Sequence, residues 1–228
     1  MRLVGPPSPR WPLALELLLA ALLGAAHSLP FVHTEFWWLQ LLIVAALARR
    51  AAAATPRRAA ALGLVFGTAW MASGTWWLFI SLHTYGGLPT WLAVLAIAAL
   101  SAFVSLFLST AMMAFARWRG GIGWRDALLF GVLWLLAELA RGVIFTGFPW
   151  IASGYAQIDS PLAALAPWVG VYGIGFVVAV LASWPALNGR RRARSAAVPL
   201  LTLGVVLLAM ALAGPGQFSR PSGAPLPT

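Results

Sequence analysis

The sequence predicts an all-α fold, a polytopic transmembrane helical bundle of seven spans that starts in the cytoplasm and ends on the far side of the membrane. Three observations carry that expectation. Hydrophobic residues make up 61% of the 228 and charged residues only 9%, whereas a soluble domain carries roughly 25% charge. The apolar residues fall into runs near the roughly 20 residues that a helix needs to cross a bilayer core. The fifteen basic residues, all Arg, gather in short clusters between alternate runs, which is the pattern that sets orientation in a membrane.

The runs follow in order. The first span, about Trp11 to Ser28, follows Arg2 and Arg10; its end, Ala25-Ala26-His27, also resembles the small-residue cleavage site of a signal peptide. The second, about Glu35 to Ala48, is short for a full span and begins with Trp37 and Trp38 as interface anchors. The third, about Arg58 to Leu82, starts after Pro56, a residue suited to a first helical turn. The fourth, about Thr90 to Ala116, follows Pro89. The fifth runs from about Asp126 to Ile144, with Asp126 where a helix N-terminus favours negative charge. The sixth is about Leu162 to Leu187 and the seventh about Ala196 to Ala213.

Orientation follows from the Arg count. Arg2, Arg10, Arg49, Arg50, Arg57, Arg58, Arg117, Arg119, Arg125, Arg190, Arg191, Arg192 and Arg194 fall on one side, and only Arg141 and Arg220 on the other. The Arg-rich side is therefore cytoplasmic. With seven spans the C-terminus lies outside, as do loops 27–34, 83–89 and 145–161. A formal charge of +10 does not point to nucleic acid here, because the clusters alternate with apolar runs and fit topology better. Cysteine is absent, which excludes disulfides, a thiolate nucleophile and thiolate metal sites within these residues.

One stretch stands apart. Residues 138–157, ELARGVIFTGFPWIASGYAQ, set an acid and a base side by side in an apolar segment and follow them with a Gly, Pro and aromatic turn. An ionisable residue at the centre of a membrane helix costs about 2.5 to 3.5 kcal/mol on insertion scales and is usually paired or functional. Glu138 and Arg141 are i, i+3, which puts them on one helix face where each can neutralise the other. If the helix ends near Ile144, they lie about 9 and 4.5 Å below that end at 1.5 Å per residue, close enough to reach toward the membrane surface. Gly147 and Pro149 end the helix, and Phe145, Phe148, Trp150 and Tyr155 favour the headgroup layer. Two readings stay open: an interfacial or re-entrant lid beside a functional pair, or a structural turn with aromatic anchors.

Other polar positions say less. His83 and Tyr85 belong to a second outer loop, His83-Thr84-Tyr85-Gly86-Gly87, in which a lone His is ordinarily a solvated residue. His27, His33 and Glu35 match no metal-ligand spacing, so no metal is expected. Gly63 and Gly67 form a GxxxG, and Gly170, Gly173 and Gly175 add small positions, all consistent with close helix packing. No phosphate-binding glycine loop and no nucleophile, base and acid set emerges, and no cofactor is implied.

The run Glu138, Arg141, Gly142, Thr146, Gly147, Phe148, Pro149, Trp150, Gly154, Tyr155, Gln157, continued by Ser160, Pro161, Leu162, Ala166, Pro167 and Gly170-Val171-Tyr172-Gly173, resembles bacterial apolipoprotein N-acyltransferase, and so does Ser81 to Pro89. The likeness spans about residues 11–213, and Gly223-Ala224-Pro225-Leu226 is similar to the family's linker before its first nitrilase strand. The resemblance implies an inner-membrane, multi-pass enzyme whose eight helices carry a periplasmic nitrilase-like domain between the seventh and eighth. It implies a Glu, Lys and Cys triad there, which takes an acyl chain from phospholipid as a thioester and passes it to a lipoprotein's N-terminal diacylglyceryl-cysteine. On that reading residues 1–213 are the transmembrane domain and 214–228 a periplasmic linker to a catalytic domain that these residues, lacking Cys and Lys, do not contain. Alone the chain is then expected to be inactive; its partners are membrane phospholipid and, with the hydrolase domain present, lipoprotein. Glu138, Arg141, Phe148, Pro149, Trp150, Tyr155, Gln157, His83 and Tyr85 become the candidate lipid or substrate cleft. The alternative is a small transporter-like membrane protein, although no inverted repeat or mid-membrane ionisable chain marks a path.

Overall fold

A computed structural model describes residues 11–192. The seventh predicted span, the 214–228 linker, Arg2, Arg10, Arg194 and Arg220 lie outside the described residues. Within them the chain is helical, with no strand. The helices are α1 (Leu13–Ala26), the single turn α2 (Leu29–Val32), α3 (Trp37–Ala53), α4 (Pro56–Gly74), α5 (Thr90–Val104), α6 (Leu106–Trp118), α7 (Gly123–Val143) and α8 (Ala166–Arg192).

Five helical stretches among the described residues are long and apolar enough to cross a membrane: Leu13–Val32, Thr34–Ala53, Thr90–Trp118, Gly123–Thr146 and Pro161–Asn188. Only 28 to 39% of the most apolar 18 residues of each are buried inside the bundle, and side chains such as Leu18, Leu22, Leu95 and Val94 stand more than half exposed. A surface of that kind needs an apolar solvent, so the chain is a membrane protein.

Boundaries shift from the sequence reading where capping and packing take over. The second span is longer than expected, because α3 continues through Arg49 and Arg50 to Ala53. The third is shorter: α4 stops at Gly74, a turn and a π-helical stretch Ile80–Tyr85 follow, and α4 is not among the five apolar stretches. Thr55 caps α4 by accepting the Arg58 N–H, and Pro56 occupies its first turn as expected. Asp126 accepts the Gly120 and Gly121 N–H groups at 2.8 Å each, so it closes the preceding turn.

α4 is the central helix, packed on α1, α5 and α6, and its small residues make that possible. A Cβ on Gly63 would come within 2.9 Å of the Leu108 carbonyl, and one on Gly67 within 2.7 Å of Ser105 Oγ, so the GxxxG is a close helix contact. Ser105 itself marks the break between α5 and α6, where its hydroxyl donates to the Ser101 carbonyl at 2.6 Å. α7 and α8 run antiparallel with Gly131 against Val180 and Gly175 against Glu138. Gly170 differs from that pattern: no neighbour crowds it, and its φ of 64° is what requires glycine.

Candidate functional site

α7 presents Trp134, Glu138 and Arg141 on one face, at spacings of four and three residues, and all three are buried. The face turns inward because its neighbours on the opposite side, Val132, Leu136 and Leu139, are exposed apolar residues. The expectation that Glu138 and Arg141 reach for the membrane surface is therefore corrected: they are 3% and 5% exposed.

Nor do they mainly neutralise each other. Arg141 Nη2 stands 3.9 Å from Glu138 Oε1, the edge of an ion pair. Each side chain instead holds irregular backbone. Arg141 Nη1 donates to the Phe148 carbonyl at 3.1 Å and the Trp150 carbonyl at 2.6 Å, while the Arg141 carbonyl accepts the Phe148 N–H at 2.7 Å. Glu138 Oε1 accepts both the N–H and the hydroxyl of Ser153, at 2.7 and 2.8 Å. Trp134 Nε1 donates to the same hydroxyl at 3.0 Å. The segment so held is strained. Phe145, Thr146 and Ile151 have φ of 55°, 70° and 50°, a region that costs a non-glycine residue energy and persists only where surroundings impose it.

The network continues inward. Gln40 of α3 donates to the Ser153 carbonyl at 3.0 Å and accepts from Gln157 Nε2, which also donates to the Trp37 carbonyl at 3.2 Å. His27 lies fully buried beside Gln40, edge-on to Trp70 with centroids 4.5 Å apart, and Trp70 stacks on Trp134 at 5.9 Å. Segment 153–157 also lies against α8, where a Cβ on Gly154 would meet the Val171 carbonyl at 2.1 Å. A narrow pocket, with room for about one water molecule, is lined by Gly67, Ser105, Glu138 and Arg141. Arg141 Nη2 is buried there without a hydrogen-bond partner.

The sequence candidates thus divide. Buried Glu138, Arg141 and Gln157 and the partly buried Phe148 form one corner. Trp150 and Tyr155 stand about half exposed at its rim, Pro149 lies between them and the helix end, and Trp77 of the turn after α4 meets Trp150 at 6.3 Å. His83 and Tyr85 do not join the corner: His83 bonds the Leu88 carbonyl through Nδ1 at 2.7 Å, and Tyr85 is 85% exposed. Sequence reasoning missed Ser153, Trp134 and Gln40, and weighed His27 only as a metal ligand. The signal for Gln40 was its isolation as an amide within Leu39 to Val44, because a polar group in such a run must find a partner. It also missed Glu16, alone in the first span, whose side chain pairs with Arg50 and Arg58.

Comparison with known proteins agrees with this architecture. Residues 23–184 match the family described as apolipoprotein N-acyltransferase N-terminal domain. The chain is 46% identical over 181 residues to an apolipoprotein N-acyltransferase of Verminephrobacter eiseniae, an alignment covering 77% of the chain and 34% of the relative. It is 41% identical over 216 residues to that of Ralstonia nicotianae, covering 91% and 40%, and 38% identical over 225 residues to that of Pseudomonas syringae pv. tomato, covering 96% and 43%. It therefore spans between about a third and somewhat over two-fifths of the length of these relatives. With most of its described helices inside the matched region, the chain belongs to the apolipoprotein N-acyltransferase family and carries its N-terminal domain.

Proposed function

We propose that these residues are the membrane domain of an apolipoprotein N-acyltransferase, a seven-span inner-membrane unit with its Arg-rich end in the cytoplasm. In this reading the domain anchors a periplasmic hydrolase domain and offers a lateral cleft to its two lipid-bearing substrates, a phospholipid donor and a diacylglyceryl-cysteine lipoprotein. The 228 residues hold neither Cys nor Lys; in this reading the thioester chemistry belongs to the hydrolase domain, and these residues alone are inactive.

The observation that carries the site reading is the hold of Glu138 and Arg141 on Ser153, Phe148 and Trp150. It fixes an aromatic rim, Trp150 and Tyr155, at the helix end where the Arg clusters are absent. Rigid aromatic side chains with a polar edge suit the headgroup layer. Arg141 is then a positioning residue for that rim. Its buried Nη2, which has no hydrogen-bond partner, is the donor it offers to a headgroup phosphate.

The test is a chimera in which this chain replaces the matched N-terminal part of the Ralstonia nicotianae relative, expressed in a bacterium depleted of its own enzyme. The 228 residues alone are expected to leave lipoproteins without the third acyl chain, and the chimera to restore it, as read by mass spectrometry of a lipoprotein N-terminus. A chimera that inserts, accumulates and still fails to acylate overturns the assignment. In an active chimera, Arg141→Ala is expected to reduce turnover; wild-type turnover at normal abundance removes the corner from the function.

A further inference from the structure

At the other end of the bundle lies a second cluster of charges. Glu16 is in the first turn of α1, Arg50 near the end of α3 and Arg58 in the first turn of α4. The Glu16 carboxylate, 8% exposed, takes Arg50 Nη2 on one oxygen and Arg58 Nε on the other at 2.5 Å. Arg58 Nη2 also donates to the Trp11 carbonyl at 2.6 Å, and the Arg50 guanidinium lies 4.6 Å from the centre of the Trp11 ring.

The charges do not balance. Two guanidinium groups less one carboxylate leave a formal surplus of one positive charge, and Arg50 Nε is buried without an acceptor. Neither Arg has an ion pair with any other acid among the described residues. Asp126, in the first turn of α7, is taken up by the Gly120 and Gly121 N–H groups. Arg49 and Arg57 are exposed beside the cluster. What the cluster lacks is an anionic oxygen acceptor. It sits where the apolar stretches Leu13–Val32 and Thr34–Ala53 end, and basic pockets between membrane helices suit lipid headgroup phosphates.

We propose that Arg50, Arg58 and Trp11 form a binding site for the phosphate of an anionic phospholipid carrying one net negative charge. Selectivity against zwitterionic lipids follows from the same geometry. The ammonium of a zwitterionic headgroup needs an acceptor, and Glu16 already serves two guanidinium groups.

The full chain, purified in mild detergent, tests this by native mass spectrometry with phosphatidylglycerol and phosphatidylethanolamine in equal supply. Phosphatidylglycerol should be retained about fivefold better, the worth of roughly 1 kcal/mol for one basic residue at an anionic surface. Arg50→Gln leaves Glu16 and Arg58 as a balanced pair and should abolish the preference, whereas Arg50→Lys keeps most of it and Arg49→Gln all of it. Equal retention of both lipids by the wild-type protein overturns the proposal, as does an Arg49→Gln loss matching that of Arg50→Gln. Inorganic phosphate that raises thermal stability as much as phosphatidylglycerol overturns the commitment to a lipid. Should Arg50→Gln not fold, Glu16→Gln takes its place: it raises the surplus to two, so retention must rise, and a fall sinks the idea.

Discussion

The two ends of the bundle use the same chemistry for different purposes. At one, Glu16 draws Arg50 and Arg58 from two other helices onto a single carboxylate, with one positive charge to spare. At the other, Glu138 and Arg141 sit a turn apart on one helix, 3.9 Å from each other, and satisfy backbone groups of the segment that follows. α1 nearly connects them: Glu16 and His27 are eleven residues apart, about 16 Å along a helix at 1.5 Å per residue. The contrast separates two reasons for placing charge in an apolar bundle. A cluster that joins helices depends on its net charge more than on which member carries it, so its members are exchangeable as a set. A pair that holds loop carbonyls and amides needs each charge in its own place, because a carboxylate cannot donate and a guanidinium cannot accept.

The sharpest way to break that contrast is to exchange the charges at the corner. Glu138→Arg combined with Arg141→Glu preserves net charge and spacing, yet it sets an acceptor against the Phe148 and Trp150 carbonyls and a donor against the Ser153 N–H. Each single change is expected to cost about 3 to 5 kcal/mol, the usual effect of breaking a buried charged contact. The double variant should recover little of it. Thermal unfolding in detergent, followed by tryptophan fluorescence, reads the outcome. Recovery of most of the loss means that the two residues chiefly serve each other.

The opposite behaviour is expected at the Glu16 cluster. Glu16→Ala leaves two guanidinium groups facing each other and should cost about 1.5 to 3 kcal/mol, the range for hydrogen bonds to charged groups, moderated because Arg50 and Arg58 are 21% and 24% exposed. Adding Arg50→Gln to Glu16→Gln removes one charge of each sign and should restore more than half of the stability lost by the single Glu16→Gln change. A double-mutant cycle on thermal midpoints measures the coupling. Strict additivity removes the idea that balance is what matters there.

The same contrast explains what could be read from the sequence. Helical membrane architecture was legible because composition and run length act locally. Glu138 and Arg141 were legible because they are i, i+3 on one helix, and the strained turn was legible through Gly147 and Pro149. The inward orientation of the pair was not, since it depends on Ser153, Gln40 and Gly175, which come from three other segments. Glu16 was overlooked for the same reason: its partners are 34 and 42 residues away, and no pattern within the first span announces them. Apolar composition continues past Gly74 and predicts a longer third span, whereas the helix ends where Thr75 turns its hydroxyl back to the Met71 carbonyl and Gly74 packs on Ile151. Family likeness alone groups His83 and Tyr85 with the corner, and the fold keeps them in their own loop.

The smallest effect tests which contact at the corner matters most. Ser153 meets Glu138 twice, through its N–H and its hydroxyl, and the hydroxyl also receives the Trp134 indole N–H. Ser153→Ala removes the second contact and leaves the first, so Glu138 keeps its backbone donor while Trp134 Nε1 loses its acceptor. The expected cost is about 1 to 2 kcal/mol, between a neutral and a charge-assisted hydrogen bond. The Trp134 indole should respond in its own fluorescence, and proteolysis of loop 145–151 should remain close to wild type because Arg141 still holds Phe148 and Trp150. If that loop becomes as cleavable as in the charge-exchanged protein, the hydroxyl and not the backbone amide is the hinge of the corner. The two ends of the bundle would then differ in burial rather than in kind.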